Sequence, residues 1–328
     1  MPDGRRKLVV VAGPTAVGKT AAGIALAERF GGEIVNADSR YLYRGFDIGV
    51  AKPSLAERRG VPHHLIDVLP PDGDMSLARY QDLAMDAIAG IHARGRLPLL
   101  VGGTPLYVNA VVEGWRVPRV PPDPALRAAL EAEAGCDGLP ALAARLAAVD
   151  PIAAARSGQN LRRVVRALEV YEKTGTPMSA QEGKGPPPFD ALELGLTMPR
   201  DRLRAAVEDR VAAQLAAGLV DEVRGLLALG VPPDTPAMGS LGYRQLLPHL
   251  RGEADLAGAT ARIVADTHRY VRHQETWLRR NPRLVPVDVT RPDWLARAAD
   301  LVASFLVRPE PGPPAGSGAP AAVATDSR

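Results

Sequence analysis

The residues best suited to chemistry form a glycine-rich loop near the start of the chain, Gly13-Pro14-Thr15-Ala16-Val17-Gly18-Lys19-Thr20. In such a loop the glycines let backbone amides surround phosphate oxygens, the lysine neutralises them, and the Thr20 hydroxyl can hold Mg²⁺. The loop joins an apolar run at 8–12 to a helical pattern that begins at Lys19, which is the context a phosphate loop requires. The segment predicts a binding site for a di- or triphosphate.

A carboxylate follows the second apolar run. Asp38 lies in Asn36-Ala37-Asp38-Ser39, at the end of a predicted strand over 33–37, and therefore at the carboxyl edge of the sheet beside the phosphate loop. A carboxylate at this place could act as a base. Its position equally allows an N-cap of the next helical turn or an indirect contact to Mg²⁺, so both roles stay open.

The fourth apolar run, at 97–101, leads into Gly102-Gly103-Thr104 without an Asp or Glu at its end. A nucleotide hydrolase often carries an acidic residue there for its metal. Its absence makes it less plausible that the chain is an ATPase or a GTPase. The glycines permit close backbone approach, and Thr104 offers a hydroxyl to a phosphate or a nucleotide. A plain turn would explain the glycines about as well.

Arg210 lies three residues after Val207 and one before Val211, at the edge of an apolar helical stripe. Its planar, permanently charged guanidinium suits a pyrophosphate leaving group, provided that it reaches into the cleft. Spacing alone favours the alternative, a surface arginine whose aliphatic stem packs on the helix.

These residues need a scaffold, and short apolar runs alternate with helical patterns in the first part of the chain. This alternation predicts an α/β fold, a P-loop NTPase-like parallel sheet flanked by helices. The predicted strands are 8–12, 33–37, 64–68, 97–101, 192–198 and 284–289, and the predicted helices are 19–30, 76–94, 293–306 and one long helix through 203–223.

A stretch rich in Ala, Leu and Arg, bounded by prolines, interrupts this alternation and predicts a helical insertion domain. The predicted division is a P-loop core over 1–117, the helical insertion over 118–190, the second part of the core with a basic helical segment over 191–307, and a disordered tail over 308–328.

The composition is that of a globular protein, with 46% hydrophobic and 23% charged residues among 328 and a formal net charge of +3. Without a membrane-length apolar run or a signal peptide, we expect a cytoplasmic protein. The single Cys136 excludes an intrachain disulfide and a zinc finger. Two arginine clusters, around 156–166 and 262–283, allow nucleic-acid binding, although solvated helix faces explain them more simply.

Beyond these individual residues, the chain resembles the tRNA dimethylallyltransferases, also called tRNA isopentenyl-pyrophosphate transferases. The resemblance extends in the family's order from Leu8 to about Arg280, although 135–138 and 182–188 do not match a family pattern. It rests on the segments GPTAVGKT, NADSRYLYRGFDIGVAKPS, HHLIDV, LVGGTPLYVNAVVEG, RRVVRALEVYEKTG, AVEDRVAAQLAAGLVDEV, GSLGYRQL and RYVRHQETWLRR.

The resemblance implies transfer of a dimethylallyl group from dimethylallyl diphosphate to N6 of the adenosine 3′ of the anticodon, position 37, in tRNAs that read codons beginning with U. It makes Asp38 the general base, Arg210 the clamp on the diphosphate, Thr20 the Mg²⁺ ligand, and Thr104 a contact near the reacting centre. The phosphate loop then binds a prenyl diphosphate in place of ATP, through Gly13, Pro14, Thr15, Ala16, Val17, Gly18, Lys19 and Thr20.

The resemblance also implies an anticodon stem-loop as the macromolecular partner, with no membrane and no protein partner. It makes the helical insertion over 118–190 and the basic helical segment of 191–307 tRNA-binding, so RNA binding becomes the favoured interpretation of the two arginine clusters. The tRNA contacts carried over by motif are Asp38, Ser39, Arg40, Tyr41, Thr104, Arg127, Arg162, Arg163, Val164, Val165, Arg166, Gly239, Ser240, Leu241, Gly242, Tyr243 and Arg244.

Three alternatives compete with this interpretation. A P-loop kinase of a small metabolite would also place an aspartate after the second strand. A nucleotide-controlled RNA-binding switch would need only the phosphate loop and the basic patches. A prenyltransferase acting on free adenylate is disfavoured, because the basic insertion would then have no tRNA to bind.

Overall fold

A computed structural model describes residues 6–308 of the chain. The strands of this part are β1 (Lys7–Ala12), β2 (Gly32–Asn36), β3 (His63–His64), β4 (Leu97–Gly102), β5 (Trp115–Arg116), β6 (Gly183–Lys184), β7 (Asp190–Thr197) and β8 (Leu284–Asp288). The helices are α1 (Lys19–Phe30), α2 (Leu77–Ala93), α3 (Pro105–Val112), α4 (Pro124–Cys136), α5 (Leu139–Val149), α6 (Pro151–Ser157), α7 (Leu161–Thr174), α8 (Met178–Gln181), α9 (Arg200–Ala216), α10 (Leu219–Ala228), α11 (Tyr243–Leu250), α12 (Leu256–Arg280) and α13 (Trp294–Val307).

Six of the strands form one parallel sheet in the order β3-β2-β4-β1-β7-β8. Parallel strands require crossover connections, and helices supply most of them, so both faces of the sheet are covered. The predicted α/β class is confirmed. In this arrangement the ends of β1, β2 and β4 lie side by side, which brings the loops after them to one edge.

The central strand β1 shows why the sheet is buried on both faces. Its side chains alternate between two hydrophobic clusters: Leu8 and Val10 join one that contains residues of α2 and α3, whereas Val9 and Val11 join another that contains residues of α1 and α13. Alternation is the geometric consequence of the pleat. A continuous apolar run is therefore the sequence that a doubly covered strand needs.

The helices α4 to α8 share a third hydrophobic cluster, which includes Leu130, Leu142, Leu146 and Leu168. The short strands β5 and β6 pair antiparallel at the two ends of this helical segment. The helical content agrees with the sequence, while the exact division at 118 and 190 stays a prediction.

The predicted tail lies outside the described residues, except for Arg308. That residue follows α13, and its Nη2 lies 3.0 Å from Oδ1 of Asp190.

Two predicted elements are wrong in extent. The strand predicted at 64–68 is limited to His63–His64, because Leu65 and Asp67 adopt left-handed backbone angles, φ 62° and 58°, that leave the strand region. The single helix predicted through 203–223 is two helices, α9 and α10. Gly218 stands between them in the left-handed conformation with φ 97°, which ends regular helical geometry.

Candidate active site

The phosphate loop has the conformation that the sequence predicts. Ala16 and Gly18 both lie in the left-handed region, with φ 66° and 90°, and α1 begins at Lys19. Within the part of the chain that the structure describes, no protein acceptor binds the backbone amides of 16–21. Free amides at the positive end of a helix form a cradle for an anion.

Lys19 points back into this loop and donates a hydrogen bond from Nζ to the carbonyl of Pro14 at 2.7 Å. Burial lowers the pKa of Lys19 to about 8; the negative charge of Asp38 opposes this shift, and the positive charge of Arg210 adds to it. The ammonium is therefore poised to gain a counter-ion, because an anion in the cradle would stabilise its charged form.

Asp38 is fixed by hydrogen bonds to its own neighbours. Its backbone N–H donates to Oδ1 of Asn36 at 2.9 Å, and its own Oδ1 accepts from the backbone N–H of Arg40 at 2.9 Å. The sequence left a local turn contact and a chemical role as alternatives, and this geometry allows both at once. Oδ1 makes the turn, while Oδ2 accepts no hydrogen bond from the described residues.

The loop after β4 is tied to the end of β2. Oγ1 of Thr104 accepts from the backbone N–H of Ser39 at 3.0 Å, and the N–H of Thr104 donates to the carbonyl of Ala37 at 3.1 Å. A Cβ at Gly102 would stand 2.1 Å from the carbonyl carbon of Ala37, so only glycine allows this approach. The two loops therefore hold Thr104 and Asp38 in one place.

Arg210 reaches the site from α9. Its Nη2 donates to the carbonyl of Val50 at 2.8 Å, and the side chain lines the cleft, which the spacing of the helix alone made the less favoured outcome. Tyr41 lies nearby: its hydroxyl donates to the carbonyl of Ala51 at 2.8 Å and lies 3.4 Å from Oγ1 of Thr20.

Two cavities meet at these residues. The larger, of about 860 Å³, is lined by the phosphate loop and by apolar side chains such as Ile24, Ile34 and Ile66. The smaller, of about 310 Å³, lies on the other side of the shared wall. Both cavities are lined by Thr15, Asp38 and Arg210. The carboxylate and the guanidinium thus face both spaces.

The smaller cavity gathers several of the predicted RNA contacts. Its lining includes Ser39, Arg40, Thr104, Gly239, Ser240, Leu241 and Arg244. Two other residues of this set, Gly242 and Tyr243, are buried behind it, and the Tyr243 hydroxyl donates to Oε1 of Glu222.

The predicted contacts in the helical segment lie apart from both cavities. Arg162 and Arg163 are exposed on α7, whereas Val164 and Val165 are buried in the cluster shared by α4 to α8. The remaining two arginines of this set, Arg127 and Arg166, both bind the buried carboxylate of Glu169.

Sequence reasoning missed a face of α12. Asp266, Tyr270 and His273 line the smaller cavity, and Gln274 binds the phosphate loop through the N–H of Thr15 at 2.8 Å. The spacing of Asp266, Tyr270 and Gln274 by four residues was the available signal, since such residues share one face of a helix. The many arginines of 262–283 instead led to the interpretation of this segment as a basic cluster.

The donor set that could hold a metal is small. Among the described residues no group of three or more His, Cys, Asp or Glu side chains could hold a metal ion. The Thr20 hydroxyl lines the larger cavity together with Asp38. This set fits a hard cation such as Mg²⁺, which is commonly held by few protein oxygens and by substrate phosphates.

None of the helices in the described part of the chain is long and apolar enough to cross a membrane.

Known proteins resemble the chain over nearly its whole length. The family model described as IPP transferase matches residues 41–281. The tRNA dimethylallyltransferase of Thermomicrobium roseum is 56% identical over 303 residues, which cover 92% of each chain. The tRNA dimethylallyltransferase of Roseiflexus castenholzii is 54% identical over 296 residues, or 90% of this chain and 97% of the relative.

Solved structures show the same likeness. The tRNA isopentenylpyrophosphate transferase of Bacillus halodurans is 38% identical, with a TM-score of 0.68 over 92% of this chain and 97% of that chain. A eukaryotic dimethylallyltransferase, captured in crystallographic snapshots while acting on tRNA, is 28% identical, with a TM-score of 0.79 over 93% of this chain and 81% of that one.

Proposed function

Because the chain belongs to the IPP transferase family, we propose that it transfers a dimethylallyl group from dimethylallyl diphosphate to N6 of the adenosine 3′ of a tRNA anticodon. The observation that carries this proposal is the meeting of two cavities at Thr15, Asp38 and Arg210. One cavity suits a diphosphate with an apolar tail, and the other suits a nucleobase that enters from the opposite side.

The donor binds in the larger cavity. Its diphosphate lies against the free amides of 16–21, with Lys19 and Arg210 as counter-charges. When the bond between C1 and oxygen breaks, the electron pair leaves with the diphosphate. Preorganised positive charge stabilises the leaving group as its charge develops, and such stabilisation is usually the largest contribution to catalysis.

The acceptor adenine enters from the smaller cavity, which requires it to leave the stack of the anticodon loop. Its exocyclic N6 forms the new bond to C1 of the donor. The N6 proton passes to Asp38, whose Oδ2 is the carboxylate oxygen left without a hydrogen bond from the described residues. A positioned base of this kind contributes a factor of roughly 10² to 10⁴ in rate.

The family chemistry calls for a divalent metal, and we assign Mg²⁺ to it. The Thr20 hydroxyl would hold this ion beside the diphosphate oxygens, with Tyr41 adjacent. When bound, Mg²⁺ would supply additional positive charge to the departing diphosphate.

Two surfaces of the protein bind the RNA. The residues around the smaller cavity receive the flipped base and its neighbours, and the helices α4 to α8 form the unit that contacts the stem. The exposed Arg162 and Arg163 suit RNA phosphates. The buried Val164 and Val165 support them by packing.

The experiment is a transfer assay with the purified full chain, Mg²⁺, dimethylallyl diphosphate and an anticodon stem-loop that carries adenosine 3′ of the anticodon. We expect N6-dimethylallyladenosine by nuclease digestion and mass spectrometry, and none with a stem-loop that carries guanosine at that position. Phosphorylation of a metabolite from ATP, with no RNA product, would instead indicate the kinase alternative.

A further inference from the structure

Gln274 joins α12 to the phosphate loop by two hydrogen bonds to backbone groups. Its Oε1 accepts from the N–H of Thr15 at 2.8 Å, and its Nε2 donates to the carbonyl of Gly103 at 2.9 Å. The residue is 3% exposed. One amide therefore spans the gap between the phosphate loop and the loop that leads to Thr104.

The two backbone groups belong to the two sides of the reaction. Thr15 lines both cavities, and Gly103 directly precedes Thr104, which lines the smaller one. Space around this contact is tight, because a Cβ at Gly103 would stand 2.6 Å from Nε2 of Gln274. Losing the amide would leave the part-buried N–H of Thr15 and the buried carbonyl of Gly103 without their partner, which is costly.

The same face of α12 reaches the smaller cavity one and two turns earlier. Tyr270 lines that cavity, and its pKa is raised to about 12, first by burial and then by the negative charge of Asp38. Asp266 lines the cavity as well, and its Oδ2 accepts hydrogen bonds from Gln245 at 2.8 Å and Arg244 at 3.2 Å. One helix, α12, thus contacts both the smaller cavity and the phosphate loop.

We propose that Gln274 is a positioning residue that makes donor binding and RNA binding depend on each other. The inference rests on the proposed function. RNA in the smaller cavity fixes the face of α12 that carries Asp266 and Tyr270; Gln274 on that face then holds Thr15 and Gly103 at the spacing that the diphosphate requires. RNA in the smaller cavity therefore orders the diphosphate site, and a bound diphosphate orders the RNA site, because such coupling is reciprocal.

The test measures the affinity of a non-reacting diphosphonate analogue of the donor by calorimetry, with and without the anticodon stem-loop. For the wild type we expect the analogue to bind more tightly with RNA, within the range of about 5- to 150-fold that is typical of coupled sites. In Gln274→Met, which keeps the length of the side chain and loses both hydrogen bonds, the ratio should fall to about one.

A second variant separates the two bonds and guards against misfolding of the first. Gln274→Glu retains an acceptor for the N–H of Thr15 but sets a carboxylate against the carbonyl of Gly103. The coupling ratio should fall in this variant too, because the connection to Gly103 is replaced by repulsion.

Gln81 provides the matched control. It is also a buried glutamine, and its Nε2 donates to the carbonyls of Ala110 at 2.6 Å and Trp115 at 2.8 Å, outside the linings of both cavities. Gln81→Met should lower the melting temperature, because the two hydrogen bonds to these carbonyls are lost. It should keep the wild-type ratio of analogue affinities with and without the stem-loop.

A folded Gln274→Met that retains the full ratio would overturn the proposal, as would a wild type that transfers the prenyl group but shows no effect of RNA on analogue binding. A wild type that neither binds the analogue nor prenylates the stem-loop would instead reject the proposed function.

Discussion

Asp38 and Arg210 face the same two cavities, yet in the described part of the chain each is held by backbone and not by the other. Asp38 binds the N–H of Arg40, and Arg210 binds the carbonyl of Val50. Opposite charges that do not neutralise each other remain free for the roles that we propose for them, the carboxylate as the base and the guanidinium as the clamp on the diphosphate. This arrangement leads to separate predictions for the two residues.

Replacing Asp38 by Asn should lower kcat by roughly 10² to 10⁴ and leave donor binding nearly unchanged. The amide oxygen can still accept from the N–H of Arg40, so the local turn is preserved while the base is lost. Single-turnover kinetics with the stem-loop measure the chemical step, and calorimetry measures donor binding. A variant with wild-type kcat would remove Asp38 as the base.

Replacing Arg210 by Met should lower kcat and weaken donor binding together, because in the proposed mechanism the guanidinium contacts the diphosphate both before and after the bond breaks. Arg204, exposed on the same helix and outside the linings of both cavities, provides the control. Arg204→Met should keep both constants. If Arg210→Met changed neither, the assigned clamp would be wrong.

Raising the pH should weaken donor binding through Lys19. The pKa of Lys19 in the free protein is lowered to about 8, so above that pH the amine is neutral and must gain a proton to pair with the diphosphate. The affinity of the diphosphonate analogue should be level up to pH 8 and then fall by up to about tenfold per pH unit.

The matched variant for this titration is Lys19→Arg, whose guanidinium stays charged over the whole range. Its affinity, whatever its value at pH 7, should not vary between pH 7 and 9. A wild-type affinity that is level to pH 9 would contradict the prediction.

Glu113 should make the stability depend on pH in the acid range. Burial alone would raise its pKa, but hydrogen bonds from Lys184, Trp115 and Arg283 outweigh this effect and lower the pKa to about 2 from 4.5. Because the pKa of Glu113 is lower in the folded protein than in the unfolded chain, its ionised carboxylate stabilises the fold at a pH above the unfolded-state pKa of 4.5. This contribution is lost as the pH falls from about 4.5 towards 2.

The measurement compares urea unfolding of the wild type and Glu113→Gln across this range. The wild type should be more stable at pH 6, and the difference should shrink as the pH falls. Glu131→Gln, at an exposed position of α4, controls for the removal of one negative charge. A difference that is constant from pH 6 to pH 3 would count against the prediction.

Gly102 should not tolerate a side chain. The Cβ of an alanine would lie 2.1 Å from the carbonyl carbon and 2.2 Å from the carbonyl oxygen of Ala37, and backbone atoms cannot easily move aside. Gly102→Ala should lower the free energy of unfolding by about 1–3 kcal/mol or more. Gly225→Ala, on α10 with nothing within 4 Å of the added Cβ, should instead be neutral or stabilising by up to about 1 kcal/mol. Chemical denaturation of both variants measures the contrast.

Local patterns predicted much of the fold correctly, and their errors have identifiable causes. The phosphate loop was readable because its turn, its amides and its lysine are set by eight adjacent residues. The apolar stripe from Leu203 to Val223 continues in steps of four across Gly218, so periodicity indicated one helix. The left-handed backbone of Gly218 ends it. Motif likeness also marked Val164 and Val165 as RNA contacts, although both are buried.

The sequence by itself determined the α/β class and the glycine-rich loop between β1 and α1, because these depend on contiguous residues and on the period of the apolar pattern. Only the tertiary structure decided which distant side chains contact the candidate active site. Arg210 binds the carbonyl of Val50 across 160 residues of chain, and Gln274 binds Thr15 across 259. Side-chain direction at such contacts is set by the packing of distant helices, and no local window of sequence contains that information.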